Sequence, residues 1–223
     1  MAEGSRVRIF VDFWNLQIQW NALHEKLGAK DRVAIPWKDL PQVLCTEVGK
    51  GQPIKFTGVT VYASINPNSP KDKGLNHYLH HILASYTGYS VTVKTRKPRK
   101  TIRCQEENCK APILQCPTCK ATLKGTSEKG IDAAIITDLL SLAFDDNYDI
   151  AILISGDADY APAVEYIQKK TDKQIVQAFF KAHGDELRNK CWDHLFLDDL
   201  LPKLIPPQTA AAEAKLAKDS PKP

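Results

Sequence analysis

Apolar and polar positions run along the chain in two rhythms. Short runs rich in β-branched residues, at Val7–Asp12, Phe56–Ser64, Ser90–Lys94, Asp149–Ser155 and Gln174–Phe180, read as strands. Longer stretches of helical period separate them: Leu16–Leu27, Trp37–Val48, Gly74–Tyr86, Ile131–Phe144 and Tyr160–Lys170. Asp185–Leu201 reads as a closing helical segment, stopped by Pro202 and then by Pro206 and Pro207. Alternating strands and helices predict an α/β fold with a mainly parallel sheet covered on both faces.

The rhythm breaks once. Before Ile131, roughly 35 residues carry charges, cysteines and prolines with little apolar period, and so long a loop needs its own scaffold. The expected organisation is a discontinuous domain over 1–95 and 126–201, an insertion over 96–125, and a tail over 202–223. Its last stretch, mostly Ala, Lys and Pro, is too poor in apolar bulk to pack and is expected to be disordered.

With 43% hydrophobic and 25% charged residues, the composition excludes a fibre and wholesale disorder. No apolar run approaches a membrane span, and the first residues lack a signal peptide's apolar stretch, so a soluble, cytoplasmic protein with no membrane partner is expected. The net charge of +4 is unevenly placed. Lys94, Arg96, Lys97, Arg99, Lys100 and Arg103 form a basic run without an acid among them, suited to phosphates.

Directly after that run stand Cys104, Cys109, Cys116 and Cys119. Cys116-Pro-Thr-Cys119 resembles a zinc knuckle, and four thiolates suit one structural Zn²⁺ that organises a segment too small for a core. A redox pair would need only two of them. Cys45 and Cys191 stand alone in helical contexts and are expected to pack.

Aspartates mark three places where the sheet's carboxyl edge is expected. The first strand delivers Asp12 with Asn15 one turn later; the Ala151–Ile154 run delivers Ser155, then Asp157 and Asp159; Asp132 opens a helix. Open parallel sheets bind ligands outside those strand ends. Converging carboxylates stay ionised together around a divalent cation, and oxygen donors point to Mg²⁺ or Mn²⁺. An acidic metal pocket beside a basic surface is what cleavage of a polyanion requires. Capping of a helix is the plainer role open to Asp132 and Asp159. Asp138, placed around the helix from Asp132, is secondary. Phe13 and Trp14, next to Asp12, suit either base stacking or the core. His77, His80 and His81 share one helix and read as a polar face.

Phe10-Val-Asp12-Phe-Trp-Asn15, Lys129-Gly-Ile-Asp132 with its following helix, and Ile154-Ser-Gly-Asp157-Ala-Asp159-Tyr160 resemble the NYN domains, a branch of the PIN-like nucleases. The resemblance runs over most of residues 6–95 and 128–180. It implies a Rossmann-like α/β/α fold and a metal-dependent endoribonuclease acting on RNA, with Asp12, Asp132 and Asp157 as ligands assisted by Asn15, Ser155 and Asp159. Phe13 stands where the family often has glycine, and Asp72 is the only acid near the helix after the second strand. A non-catalytic RNA-binding or adaptor protein on the same fold is the competing reading; dependence on divalent metal separates the two. The sequence leaves the oligomeric state open, a homodimer included.

Overall fold

The computed structural model describes residues 4–98, 102–104, 106–120 and 126–205. Strand β1 (Ser5–Asp12) leads into helices α1 (Phe13–Lys26) and α2 (Leu40–Gly49), then β2 (Ile54–Ile65), α3 (Pro70–His77) and β3 (Tyr89–Thr95). Four two-residue strands follow, β4 (Lys97–Pro98), β5 (Ile102–Arg103), β6 (Pro112–Ile113) and β7 (Thr126–Ser127). The chain then forms α4 (Ile131–Phe144), β8 (Ile150–Ile154), α5 (Ala161–Lys170), β9 (Gln174–Phe179), α6 (Asp185–Arg188), β10 (Asp193–Phe196) and α7 (Leu197–Leu204). The six longer strands make one sheet in the order β10-β9-β8-β1-β2-β3, every pairing parallel and helices on both faces. Outside it, β4 pairs antiparallel with β7 and β5 with β6. Among the described residues no helix is long and apolar enough to cross a membrane.

This order places the topological switch point between β1 and β8, because the chain winds outward from β1 in one direction and from β8 in the other. A crevice opens there at the carboxyl ends of the strands. The pleat decides what faces it. Val7, Ile9 and Val11 pack with Leu16, Trp20, Leu44 and Leu200 on one side of the sheet, so the alternate positions Arg8, Phe10 and Asp12 belong to the other. On β8, Ile152 and Ile154 join the first layer, whereas Ala151 and Leu153 join Phe10, Ile135 and Val164 in the second. The next position on that second face is Ser155, which therefore emerges beside Asp12.

Two expected helices are corrected. Asp185–Leu201 is not one segment: α6 is a single turn, and Asp193–Phe196 adds an edge strand in register with Val176–Phe179 before α7 starts. The Gly74–Tyr86 helix ends as α3 at His77 and continues as a π turn, Tyr78–Ile82, and a 3-10 turn, Leu83–Ser85, with Leu79 and Leu83 both buried. Pro202 does not stop the last helix: α7 carries it inside and runs to Leu204, whose burial holds the start of the expected tail against the domain. Residues from 206 onward lie outside the described residues.

An ion network closes the amino ends of the strands. Arg6 on β1 holds Asp149 at 2.6 Å and Asp146 at 2.7 Å, and Lys173, only 7% exposed, reaches Asp146 at 2.5 Å and Asp149 at 3.5 Å. The Arg6 guanidinium holds the Asp149 carboxyl well below the usual carboxylate range. A depressed carboxyl stabilises the fold at neutral pH and loses that contribution as pH falls below about 4. Lys173→Ala should cost about 1 to 3 kcal/mol at pH 7, less than a fully buried pair because Asp146 is 67% exposed. Urea unfolding checks this, and a midpoint equal to the parent's would refute it.

Candidate active site

Asp12 is the N-cap of α1, its carboxylate accepting the Asn15 N–H at 3.2 Å. Its other oxygen accepts hydrogen bonds from the Ser155 hydroxyl at 3.4 Å and the Tyr160 hydroxyl at 3.1 Å. The same Tyr160 hydroxyl lies 3.2 Å from Asp132 Oδ1. A hydroxyl carries one hydrogen, so it serves one of these carboxylates at a time. No Lys or Arg pairs with either acid among the described residues. Burial, with the charges of Glu128 and Asp132 adding to it, pushes the Asp12 carboxyl up to about 6. Burial also raises Asp132, helped by Asp157, Glu128 and Asp159. Tyr160 is held far above the usual tyrosine range by burial and by the carboxylates around it.

The loop after β8 is built onto this pair. Asn15 Oδ1 accepts the Gly156 N–H at 3.1 Å, and the Ser155 hydroxyl accepts the Asp157 N–H at 3.2 Å. Asp157 caps the 3-10 turn Ala158–Tyr160 by accepting the Asp159 N–H at 3.0 Å, so the capping role left open for Asp159 is filled by Asp157. Asp159 is exposed. Asp132 lies in the first turn of α4 and caps nothing, since Gly130 holds that position. Asp138 faces Tyr62, whose hydroxyl donates to it at 2.5 Å, and stays out of the cluster.

Sequence reasoning missed Glu128. Its carboxylate accepts from the Ser64 hydroxyl and pairs with Arg96 at 3.3 Å, and its charge is felt at Asp12 and Asp132. Nothing in its polar stretch signals this; only the return of the chain through β7 brings it to the end of β2. Asp72, by contrast, is engaged in the turn after β2, accepting the Asn66 N–H at 2.7 Å. Of the basic run, Lys94 and Lys97 are exposed, Arg96 donates to Ser64 Oγ at 2.8 Å and lies over the Trp14 ring at 5.0 Å, and Arg103 donates to the Lys110 carbonyl at 3.0 Å. Arg99 and Lys100 lie outside the described residues.

In the insertion, backbone N–H groups of Cys119 and Thr118 point at the Cys116 sulfur and lower its pKa. Lys110 and Lys120, each directly after a cysteine, adopt left-handed backbone at φ 45° and 59°. Cys104 and Cys116 are half-buried, Cys109 and Cys119 exposed. Among the described residues, no three His, Cys, Asp or Glu side chains are grouped so as to hold a metal ion, at the cysteines or at the aspartates.

A family model described as NYN domain matches residues 6–198. The chain belongs to the NYN domain family. Members of that family are generally nucleases, which makes nucleic acid the substrate class. A solved structure of a protein of unknown function from Vibrio parahaemolyticus aligns at 22% identity and a TM-score of 0.55, covering 89% of this chain and 98% of its own, a likeness of fold. A structure described as "Structural Basis for the Mechanism and Regulation of Sir2 Enzymes" aligns at 12% identity over 95% of each chain with a TM-score of 0.35, too low to carry an argument. No curated protein matches.

The cluster of this NYN domain fits a hard divalent cation by its chemistry. Its donors are carboxylate oxygens, one of them buried without a counter-ion, and they crowd at the crevice where such sheets bind ligands.

Proposed function

We propose that this NYN domain is a metal-dependent endoribonuclease that hydrolyses RNA phosphodiester bonds, with Asp12, Asp132 and Asp157 holding Mg²⁺ or Mn²⁺. The observation that supports it most is the single Tyr160 hydroxyl shared by Asp12 and Asp132, since two neighbouring carboxylates that share one hydrogen and have no Lys or Arg partner among the described residues call for a positive ion. A divalent ion there lowers the pKa of water and offsets charge building on a phosphodiester. The chain's own residues do the positioning. Ser155 and the Asn15 N–H fix Asp12, the Asn15 side chain pins the loop bearing Asp157, and Asp159 adds negative charge beside Asp132. The deciding measurement is cleavage of labelled RNA with Mn²⁺ and with chelator, beside Asp157→Asn. RNA that is held but never cut in Mn²⁺ would turn the reading to the adaptor.

In the insertion, Cys104, Cys109, Cys116 and Cys119 hold one structural Zn²⁺, supported by the amide groups aimed at Cys116 and the left-handed lysines, the backbone form of a tight thiolate turn. Elemental analysis should find one zinc per chain, lost when Cys116 and Cys119 become serine while the α/β domain keeps its melting transition. A parent protein free of zinc would refute it. The basic residues Lys94, Arg96, Lys97, Arg99, Lys100 and Arg103 grip the strand. Changing Arg96, Lys97, Arg99 and Lys100 to alanine should flatten the log-log salt dependence of RNA binding by about 0.7 for each phosphate no longer neutralised. An unchanged slope would show that the run serves another partner.

A further inference from the structure

Between the start of α1 and the start of α3, with Phe13 and Trp14 directly after Asp12 in its lining, is a cavity of about 390 Å³. Trp14, Gln17, Arg32, Lys71, Asp72 and Leu75 line it, and the volume suits a small planar ligand. Phe13 and Trp14 take different roles here. Phe13 is 3% exposed and stacks on Trp37 with ring centroids 6.3 Å apart and planes at 9°, which makes it core. Trp14 is half-buried and forms a wall of the cavity only two positions from Asp12.

That wall is held in place beforehand. The indole N–H donates to the Ser64 carbonyl at 2.6 Å, the ring meets Phe13 edge-on at 5.3 Å, and Arg96 lies over it at 5.0 Å. A ligand stacking on Trp14 therefore orders little on arrival. Arg32 and Lys71 are exposed lining residues, placed to meet a polyanion, while Gln17 and Asp72 add polar side chains to the lining, already bonded to Asn21 and to the Asn66 N–H. Exposed cations beside an aromatic wall match the chemistry of a base with its phosphates outside.

We propose that this cavity is a nucleobase subsite, taking one unpaired base of a single-stranded RNA next to the phosphate at the acid cluster. The base stacks on Trp14 while Arg32 and Lys71 contact flanking phosphates. The inference rests on the reading of the site as RNA-cleaving, and it makes the enzyme selective for strands whose bases can be turned out, since paired bases cannot enter.

The test is binding of a short single-stranded oligoribonucleotide, the same strand with one abasic position, and an RNA duplex, all in chelator. Trp14→Ala and Ala34→Trp, the second filling the cavity from an exposed lining position, should each weaken single-strand binding roughly 5- to 100-fold and leave duplex binding unchanged. They should also bind the abasic strand as the parent does. Circular dichroism confirms that both variants are folded, and Ala34→Trp decides the matter should Trp14→Ala unfold. Single-strand binding equal to the parent's in a folded variant overturns the subsite, even if the parent cleaves RNA in Mn²⁺. Base-dependent binding by a parent that never cleaves overturns the nuclease reading and keeps the subsite. A parent that neither binds nor cleaves overturns both.

Discussion

Asp12→Asn should abolish RNA cleavage and, in chelator at pH 7, stabilise the fold by about 2 to 3 kcal/mol, a rise of about 5 to 10 °C in melting temperature. The Asp12 carboxyl, pushed up to about 6 by burial, binds a proton more readily in the folded chain than in the unfolded one, where it titrates near 4. Its penalty is absent below about pH 4, grows as pH rises through 6, and is complete at pH 7. An amide carries no such penalty and fits the same partners. Its oxygen keeps the Asn15 N–H, and its nitrogen can donate to the Ser155 and Tyr160 hydroxyls, leaving Tyr160 to serve Asp132. The gain should therefore be large at pH 7 and vanish near pH 4, opposite in sign to the contribution of Asp149 at the other end of the sheet. Melting curves at both pH values check it, and an equal gain at each would remove the electrostatic explanation.

Gly156→Ala should destabilise the domain by about 3 kcal/mol and reduce cleavage further than the loss of folded protein explains. A methyl at this position would stand 2.2 Å from Cε1 and 2.7 Å from Cδ1 of Phe179. That ring is 2% exposed and packed edge-on to Phe180 at 5.2 Å, so it has nowhere to retreat. Gly184, at φ 77°, brings the loop after β9 against the same spot, where its own methyl would meet the Gly156 Cα at 2.9 Å. Relief must come from moving the loop that carries Ser155 and Asp157, hence the added loss of activity. Thermal melting and the cleavage rate with Mn²⁺ measure the two effects; a variant melting like the parent would show that the loop yields freely.

The five strands expected from sequence all stand in the sheet, and their boundaries move by a few residues at most, because β-branched apolar runs leave a strong signal, in β1, β2, β8 and β9 through burial on both faces and in the half-buried edge strand β3 through its Val and Thr content. β10 was illegible for the opposite reason. Its four residues include Asp193 and exposed His194, they pair on one side only, and they follow a helix-like stretch without a break. Asp12, Ser155 and Asp157 were legible because apolar strands point at them. Glu128 and the bridging role of Tyr160 were not: each acts through a neighbour far away in sequence, Ser64 and Arg96 for the first, Asp12 and Asp132 for the second.

The neck of the insertion has a consequence for how such a domain diversifies. Lys97 pairs with Ser127 and Pro98 with Thr126, so the chain leaves the α/β layer and re-enters it at adjacent points. These two pairs make a two-rung ladder that a tight Asn-Gly turn would also close. A segment entered and left at adjacent points can be lengthened, swapped or deleted without rewiring the sheet that carries the acids. Excision would have to spare Arg96 and Glu128, which flank the neck and tie it to Ser64 at the end of β2.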